Sequence, residues 1–312
     1  MTAVASADDQ LAWEADKRKP AAAAAIGGGL LSFAGFLVTI LGLRGAESQS
    51  LAASLARFNT SNTPIGDQPS LRLIPYQFFA DHAAAILIGA VCVGLGALAM
   101  SGALTYLAYA TRARAERYPK VGIYLPIIGG VLMMLGTILS AVGRLSFYNS
   151  IIDGPGTVQA VRDYNPSGLL YVGQFVQLIG GLALALAFVL VALNAMRVGL
   201  LTRFMGIMGI LAGALTILPL PAVPVLQAFW LVALGALILG VWPGGAIPPA
   251  WVTGRAEPWT SATQQRAERA KAVRDRKSGG RTAAPPEPAE VEARAADAKP
   301  HPSSKKKRKR RT

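Results

Sequence analysis

The sequence predicts an all-α fold, a polytopic transmembrane bundle of six spans followed by a disordered basic C-terminal tail. Of its 312 residues, 52% are hydrophobic and only 15% are charged, whereas a soluble domain usually carries about 25% charged residues. Charge-free apolar runs long enough to cross a bilayer recur along the chain. The net charge of +14 is concentrated late in the chain, since residues 252–312 hold 17 Lys and Arg against 7 Asp and Glu.

Four apolar runs are direct candidates for membrane spans. They contain 23, 28, 23 and 25 residues: Ala21–Leu43, Ala83–Ala110, Val121–Gly143 and Leu169–Leu193. About 20 helical residues cross the ~30 Å hydrocarbon core, and only a helix satisfies its own backbone hydrogen bonds in lipid. We interpret the first run as an uncleaved span, because it is longer than a signal-peptide core and follows an acidic flank.

Two further spans are predicted from one longer run. Phe204–Gly254 holds 51 residues without a charge, and the three prolines of "LPLPAVP" predict a turn that divides it. Val225–Trp242 forms one span. The other half, Phe204–Leu218, would measure only about 22 Å. We therefore expect its helix to begin near Val198, with the side chain of Arg203 extending to the headgroups.

The predicted organisation has four parts. They are a cytoplasmic N-terminal segment (1–20), the six-span bundle (21–243), a juxtamembrane segment (244–280) and the disordered basic tail (281–312). Loops 44–82 and 144–168 are long enough to form a cap on the outer side.

Short helices are predicted outside the spans. The two outer loops each have room for one surface helix, near Ser50–Phe58 and at Thr157–Asp163. Ser261 and Gln264 form a capping-box pattern that predicts a juxtamembrane helix. Trp242, Trp251 and Trp259 have the spacing of an aromatic belt at the membrane interface.

The distribution of positive charge predicts the orientation. With six spans, the side that holds both termini carries 26 Lys and Arg, and the other side carries 5. Positively charged loops stay in the cytoplasm. Both termini are therefore expected in the cytoplasm.

A run of seven consecutive basic residues lies near the end of the tail: Lys305, Lys306, Lys307, Arg308, Lys309, Arg310 and Arg311. Such a cluster is attracted to anionic lipid headgroups by about 1 kcal/mol per residue near the surface. Docking to an acidic protein partner and contact with nucleic acid remain open as alternatives. Nucleic acid is the least favoured partner, because no aromatic residue interrupts the run to stack on bases.

Glycine recurs at intervals of seven residues within the predicted spans. The series are Gly28, Gly35 and Gly42; Gly122, Gly129, Gly136 and Gly143; Gly173 and Gly180; and Gly199, Gly206 and Gly213. Seven residues are close to two helical turns, so each series follows one face of its helix. Small residues allow helices to approach closely in lipid, and a close-packed bundle is predicted.

Residues typical of catalysis or metal binding are scarce in the spans. No Asp, Glu, His, Lys or Arg occupies a span centre, and neither H-E-x-x-H nor G-x-S-x-G occurs. Cys92 is the one cysteine, and His82 is the one histidine before the tail. We therefore expect no enzyme activity, no catalytic residues, no metal site and no cofactor.

Polar side chains at the outer ends of the spans are candidate ligand-binding residues. Gln174 and Gln177 share a helix face with Tyr171 one turn earlier. They could form hydrogen bonds inside the bundle or line a ligand pocket.

A second candidate group consists of charged residues at the outer surface. Asp81 and His82 begin the second span, and Arg144 ends the third. They could form a charge pair or an external site.

The segment "RVGLLTRFMGIMGILAGALTILPLP…AFWLVALGALILGVWPGG", followed by "PPAWVTGRAEPW", resembles the end of a group of uncharacterised six-span membrane proteins common in actinobacteria. The resemblance covers about a fifth of the chain. It implies a helical bundle in a bacterial plasma membrane and no activity.

Two function classes follow from these observations. The first is a non-enzymatic structural or accessory bundle that meets a membrane-protein partner or a second copy of itself. The second is a transporter or binder of a small apolar ligand, with a pocket in the outer half of the bundle. A solid core would indicate the first class and a cavity would indicate the second.

Overall fold

The structure, a computed structural model, describes residues 7–46, 63–115, 117–165, 168–217, 223–241 and 247–257, together with residues 52, 55, 56, 270, 271 and 274. This part of the chain is helical and contains no strand, which confirms the predicted all-α class. Its helices are α1 (Ala7–Gly42), α2 (Leu73–Asp81), α3 (Ala83–Arg114), α4 (Val121–Ile152), α5 (Val158–Asp163), α6 (Gly168–Arg197), α7 (Arg203–Thr216), α8 (Val223–Leu239) and α9 (Ala250–Thr253).

Four helices are long and apolar enough to cross a membrane, namely α1, α3, α4 and α6. The apolar helices α7 and α8 have only 14 and 17 residues, or roughly 21 and 25 Å at 1.5 Å per residue. Both fall short of the ~30 Å hydrocarbon core. The prediction of six full spans is therefore not confirmed.

The predicted start of the fifth apolar helix near Val198 is wrong. Helix α6 runs on to Arg197, and Gly199 then adopts a φ of +85°, a left-handed conformation that glycine tolerates. Helix α7 begins at Arg203, because the hydroxyl of Thr202 accepts a hydrogen bond from the backbone N–H of Met205 at 3.2 Å and so caps the helix.

The long helices extend beyond the charge-free runs that predicted them. Helix α1 begins at Ala7, so residues 7–20 belong to the same helix as the first span. Helices α3 and α4 continue to Arg114 and Ile152. A run without charges ends where the hydrocarbon ends, whereas the backbone hydrogen bonds of a helix continue into the interface.

Six helices form a closed ring in the order α1, α3, α4, α6, α7 and α8, with α8 returning to α1. Successive helices of the ring are antiparallel. One end of the ring therefore holds the C-terminal ends of α1 and α4 and the N-terminal ends of α3 and α6. We call this the loop end and the opposite one the terminal end. Helices α2 and α5 lie at the loop end, and α9 lies at the terminal end.

The terminal half of the ring is solid. Its centre is filled by large side chains with no more than 1% exposure, including Leu104, Leu107, Phe188, Trp230 and Leu234. The indole Nε1 of Trp230 donates a hydrogen bond to the carbonyl of Met205 at 2.8 Å, so the one polar atom of this buried ring is satisfied.

Glycines on α4 and α6 lie where the two backbones meet. A Cβ built at Gly129 would lie 2.7 Å from the backbone nitrogen of Leu184, and one at Gly136 would overlap the backbone nitrogen of Gln177. Gly173 packs against the backbone of Ser140 in the same way. The series predicted on these helices marks a real helix–helix contact, whereas Gly199 lies in a turn.

The short helices α7 and α8 leave a gap at the loop end of the ring. Gly213 of α7 packs against Ala185 and Phe188 of α6, and α7 ends three residues later at Thr216. Since α6 starts at Gly168, it continues about 20 Å beyond α7. No helix of the described chain fills the space between α1 and α6 beyond that level.

At the loop end, backbone hydrogen bonds join the segment before α2 to the start of α5. The predicted helix at Thr157–Asp163 is confirmed as α5, with Thr157 as its N-cap. Ser70 donates a backbone hydrogen bond to Gly156 at 2.7 Å, and Val158 donates one to Gln68 at 2.8 Å. The helices predicted near Ser50–Phe58 and after Ser261, and the tail, lie outside the continuously described residues.

Candidate functional site

A cavity of about 380 Å³ occupies the loop half of the ring. All six ring helices contribute to its wall, and α7 and α8 do so with their ends at Thr216 and Pro224. Most of the wall is apolar, as shown by Phe36, Ile86, Val93, Met133, Leu184 and Phe188. Its volume and character match those of small-molecule sites, which are mainly apolar clefts of about 300–1,000 Å³ with a few polar groups.

Three hydroxyl groups on this wall are buried and have no hydrogen-bond partner. They belong to Ser32 of α1 and to Thr137 and Ser140 of α4. Thr137 is 9% exposed and Ser140 is 2% exposed. A buried polar group without a partner costs about 1–3 kcal/mol, so three in one cavity indicate a place where another molecule supplies the partners.

Other hydroxyls on these helices behave differently. The side chains of Thr39, Thr105, Thr111, Ser150 and Thr216 each donate to the backbone carbonyl four residues earlier, at 2.7–3.0 Å. This local bond is the usual solution for Ser and Thr in a membrane helix. Ser32, Thr137 and Ser140 have the same option and do not use it. Their hydroxyls remain unpaired on the cavity wall.

One cation lies at the loop-end side of the cavity. Arg144 follows Ser140 by four residues and Thr137 by seven, so the three side chains share one face of α4. Arg144 is exposed and lines the cavity. No carboxylate of the described residues forms an ion pair with it. Among the described residues, its guanidinium therefore has no carboxylate partner.

Two amides complete the polar part of the wall. Gln227 of α8 donates from Nε2 to the hydroxyl of Thr216 at 2.6 Å, and Thr216 donates in turn to the carbonyl of Ala212 at 2.7 Å. Gln177 of α6 also lines the cavity. These groups lie beside the gap between α1 and α6.

The structure separates the residues predicted as a site. Gln177 and Arg144 line the cavity, and Gln174 lies with Gln177 in a shallower adjoining pocket. Tyr171 is 54% exposed on the outer surface of α6 and lies on neither wall.

Asp81 and His82 lie at the junction of α2 and α3, away from the cavity wall. The imidazole of His82 stacks on Phe78, with Nδ1 2.8 Å from the carbonyl of Phe78. In the described chain neither residue forms the predicted ion pair with Arg144. The expected charge pair is therefore wrong.

Sequence reasoning missed the three unpaired hydroxyls. Ser and Thr in a span resemble ordinary small residues, because a bond to the preceding turn satisfies them. The available signal was the spacing of Thr137, Ser140 and Arg144 on one helix face, which leads from the apolar stretch to its charged end.

The terminal end is closed by a buried ion pair. The two terminal nitrogens of Arg114, Nη1 and Nη2, donate to the carboxylate of Glu14. The Nη2–Oε2 distance is 3.0 Å. Arg114 also donates to the carbonyl of Ala250 at 2.8 Å and lies over the ring of Trp251. Trp251, predicted as part of an interfacial belt, thus packs on the bundle itself. The interaction joins α1, α3 and α9 on the side opposite the cavity.

Within the described residues no group of three or more His, Cys, Asp or Glu side chains is placed to hold a metal ion. The site is therefore defined by a cavity, three hydroxyls, two amides and one guanidinium. No family model, curated protein or solved structure matches the chain.

Proposed function

We propose that this protein binds a small amphiphilic molecule in the cavity between its membrane helices, as a non-enzymatic membrane receptor or carrier. The observation that carries the proposal is the set of three buried, unpartnered hydroxyls on one apolar wall. A ligand with an apolar body and a polar group would fill the cavity and supply the missing hydrogen bonds.

The cavity also argues against the alternative function, a purely structural bundle. The terminal half has the packed core expected of a scaffold, with Trp230 and Phe188 at its centre. The loop half does not, because α7 and α8 end before they reach it. A scaffold has no need for unpaired hydroxyls in a cavity, so the geometry favours the ligand-binding class.

The test combines Thr137→Val with Ser140→Ala. Removing buried groups that have no partner should stabilise the empty protein, by about 1–3 kcal/mol for each group. The same double variant should lose affinity for 1-dodecanol, a neutral probe with an apolar chain and one hydroxyl. Thermal unfolding in detergent, with and without the probe, measures both effects, since a ligand that binds the folded state raises the unfolding temperature.

Thr111→Val is the matched control. Its hydroxyl is equally buried but donates to the carbonyl of Leu107 at 2.7 Å. This variant should be destabilised and should keep the full response to 1-dodecanol. If the double variant is destabilised to the same extent, and the unmodified protein does not respond to 1-dodecanol, the proposal is wrong.

We further propose that the protein resides in a bacterial plasma membrane with both termini in the cytoplasm. The support is the positive charge at the terminal end, where Arg112, Arg114, Lys120, Arg197 and Arg203 lie. Partners other than lipid, and attraction of the basic tail to anionic headgroups, remain predictions, because residues 275–312 lie outside the described chain.

A further inference from the structure

Among the described residues, the cavity is open sideways in the gap between α1 and α6. On the α8 side, Gly29 of α1 packs against Ala228. Helix α1 continues 13 residues beyond Gly29 to Gly42, whereas α8 begins only 5 residues before Ala228, at Val223. The difference of 8 residues is about 12 Å of helix. Helix α1 therefore rises above α8, as α6 rises above α7.

Exposed apolar side chains lie beside this gap, next to the amides of Gln174 and Gln177. Leu178 is 58% exposed and Ile217 is 57% exposed, and both border the pocket that adjoins the cavity at Gln177. A molecule dissolved in the bilayer would enter the cavity here past these apolar side chains and the amides beside them. The position of the opening thus favours a lipid-borne ligand over a water-soluble one.

The guanidinium of Arg144 lies where the head of such a lipid would lie. It directly follows the charge-free run Val121–Gly143, which places it at the border of the hydrocarbon. From Arg144 the wall leads past Ser140 and Thr137 to Met133, 11 residues or about 16 Å deeper. Beyond Met133 the cavity ends on the apolar ring of Phe188. The guanidinium is therefore at one end and the apolar ring of Phe188 is at the other, with the polar side chains of Ser32, Thr216 and Gln227 on the wall between them.

We infer that the cavity takes up a single-chain anionic amphiphile from the lipid leaflet at the loop end, with its carboxylate or phosphate monoester head at Arg144 and its chain toward Met133 and Phe188. This inference rests on the proposed function and adds the chemical class of the ligand. Ser140 and Thr137 donate to head-group oxygens, and Arg144 supplies the opposite charge in a charge-assisted hydrogen bond.

The experiment uses the full chain in nanodiscs of zwitterionic lipid and dodecanoate with a photoreactive diazirine at the end of its chain. After irradiation, mass spectrometry should find labels at the floor of the cavity, on Met133 and Phe188. Labels on Phe175, which is 63% exposed on the outer surface, measure contact with bulk lipid. Unlabelled dodecanoate and dodecyl phosphate should compete for the floor sites, and acetate and inorganic phosphate should not.

Arg144→Gln tests the head group. It should raise the dodecanoate concentration needed for half-maximal floor labelling about tenfold, the lower end of what losing a hydrogen bond between charged groups costs. Arg144→Lys should recover part of the loss, because it keeps the charge but not the planar fork. Neither variant should change the labelling by the corresponding diazirine alcohol.

Gly181→Trp tests the route. Gly181 borders the pocket beside the gap, and the nearest atom to a Cβ there is the Met133 sulfur at 4.0 Å. A side chain can therefore start at this position without a clash at its Cβ, and an indole there would narrow the opening. Floor labelling should become slower at an unchanged final level, and labelling of Phe175 should be unaffected. An unchanged rate would overturn entry from the side.

The other outcomes separate the two proposals. Equal floor labelling by the carboxylate and the alcohol, unaffected by Arg144→Gln, would overturn the anionic ligand and leave the cavity as a binding site. Labels confined to outward-facing residues, with every probe, would overturn the proposed function itself. Competition by acetate or inorganic phosphate would mean that the site binds a small soluble anion and not a lipid, and it would overturn the amphiphile.

Discussion

Glu14 and Arg114 show how much a single residue pair determines at the terminal end. They are 100 positions apart, and their side chains are 5% and 0% exposed. Charges buried this deeply remain tolerable only when they are paired and their hydrogen bonds are filled. The carbonyls of Ala110 and Ala250 accept the remaining N–H groups of Arg114, so the site meets that condition.

Arg114→Met should therefore lower the free energy of unfolding by about 3–5 kcal/mol, because it leaves the carboxylate of Glu14 buried without a partner. Adding Glu14→Leu should restore a large part of the loss, since an apolar pair of similar volume needs no charge compensation. Chemical or thermal unfolding of the purified variants measures this double-mutant cycle.

Lys17→Ala is the control for that cycle. Lys17 pairs with Asp16 at 2.8 Å, but the two side chains are 55% and 70% exposed. Exposed pairs of this kind contribute little to stability, so the variant should unfold like the unmodified protein. Equal losses from Lys17→Ala and Arg114→Met would contradict the structural role of the buried pair.

At the scale of helices, glycine spacing decides how closely α4 and α6 approach. The contact is reciprocal, because Gly136 meets the backbone of Gln177 and Gly180 meets the backbone of Met133. Close backbone approach of this kind provides van der Waals contact where no hydrophobic force drives association. The same contact holds Thr137 and Gln177 beside the cavity.

Gly136→Ala should destabilise the protein by about 1–3 kcal/mol, because its Cβ would overlap the backbone of Gln177 and the helices would have to move apart. Gly102→Ala is the matched control, since the nearest atom to its Cβ is that of Ala24 at 4.0 Å. Alanine favours a helix over glycine by about 1 kcal/mol, so this control should be neutral or stabilising. Unfolding temperatures in detergent compare the two, and equal losses would refute the packing role of Gly136.

At the scale of the whole molecule, the arrangement of four long helices and a short helical pair determines the topology. Helix α7 begins and α8 ends at the terminal end of the ring. Both termini of the bundle therefore lie on one side whether or not this pair crosses the membrane completely. In the orientation proposed above, this side is the cytoplasm.

Reporter fusions at Lys120 and after Gly254 should give cytoplasmic signals, and fusions at Thr63 and Gly156 should give external ones, because positive charge is concentrated at the terminal end. Cysteine labelling then tests the depth of α7 in a Cys92→Ala background. Ile217→Cys should resist a membrane-impermeant maleimide, because α7 is too short to reach the far surface.

Gly154→Cys, at an exposed position of the same loop, should react from outside and serves as the positive control for labelling. Rapid external labelling of Ile217→Cys would mean that α7 crosses fully and would restore the six-span count. An external reporter signal after Gly254 would contradict the shared side of the termini.

The sequence by itself determined the helical membrane class, the course of the four long spans and the faces that pack. These properties are local, because they depend on runs of apolar residues and on glycine spacing along one helix. The helix at Thr157–Asp163 could be predicted for the same reason, since the hydroxyl of Thr157 caps it by accepting a hydrogen bond from the backbone N–H of Ala160, three residues later.

Only the tertiary structure decided where the cavity lies and which residues face it. Whether the hydroxyls of Thr137 and Ser140 are satisfied depends on what surrounds them, and the spacing of residues on α4 does not contain that information. The gap follows from the ring order, which places the short helices α7 and α8 between α1 and α6. Burial of Glu14 depends on contact with Arg114, 100 positions away, and a contact at that separation leaves no periodic signal in the sequence.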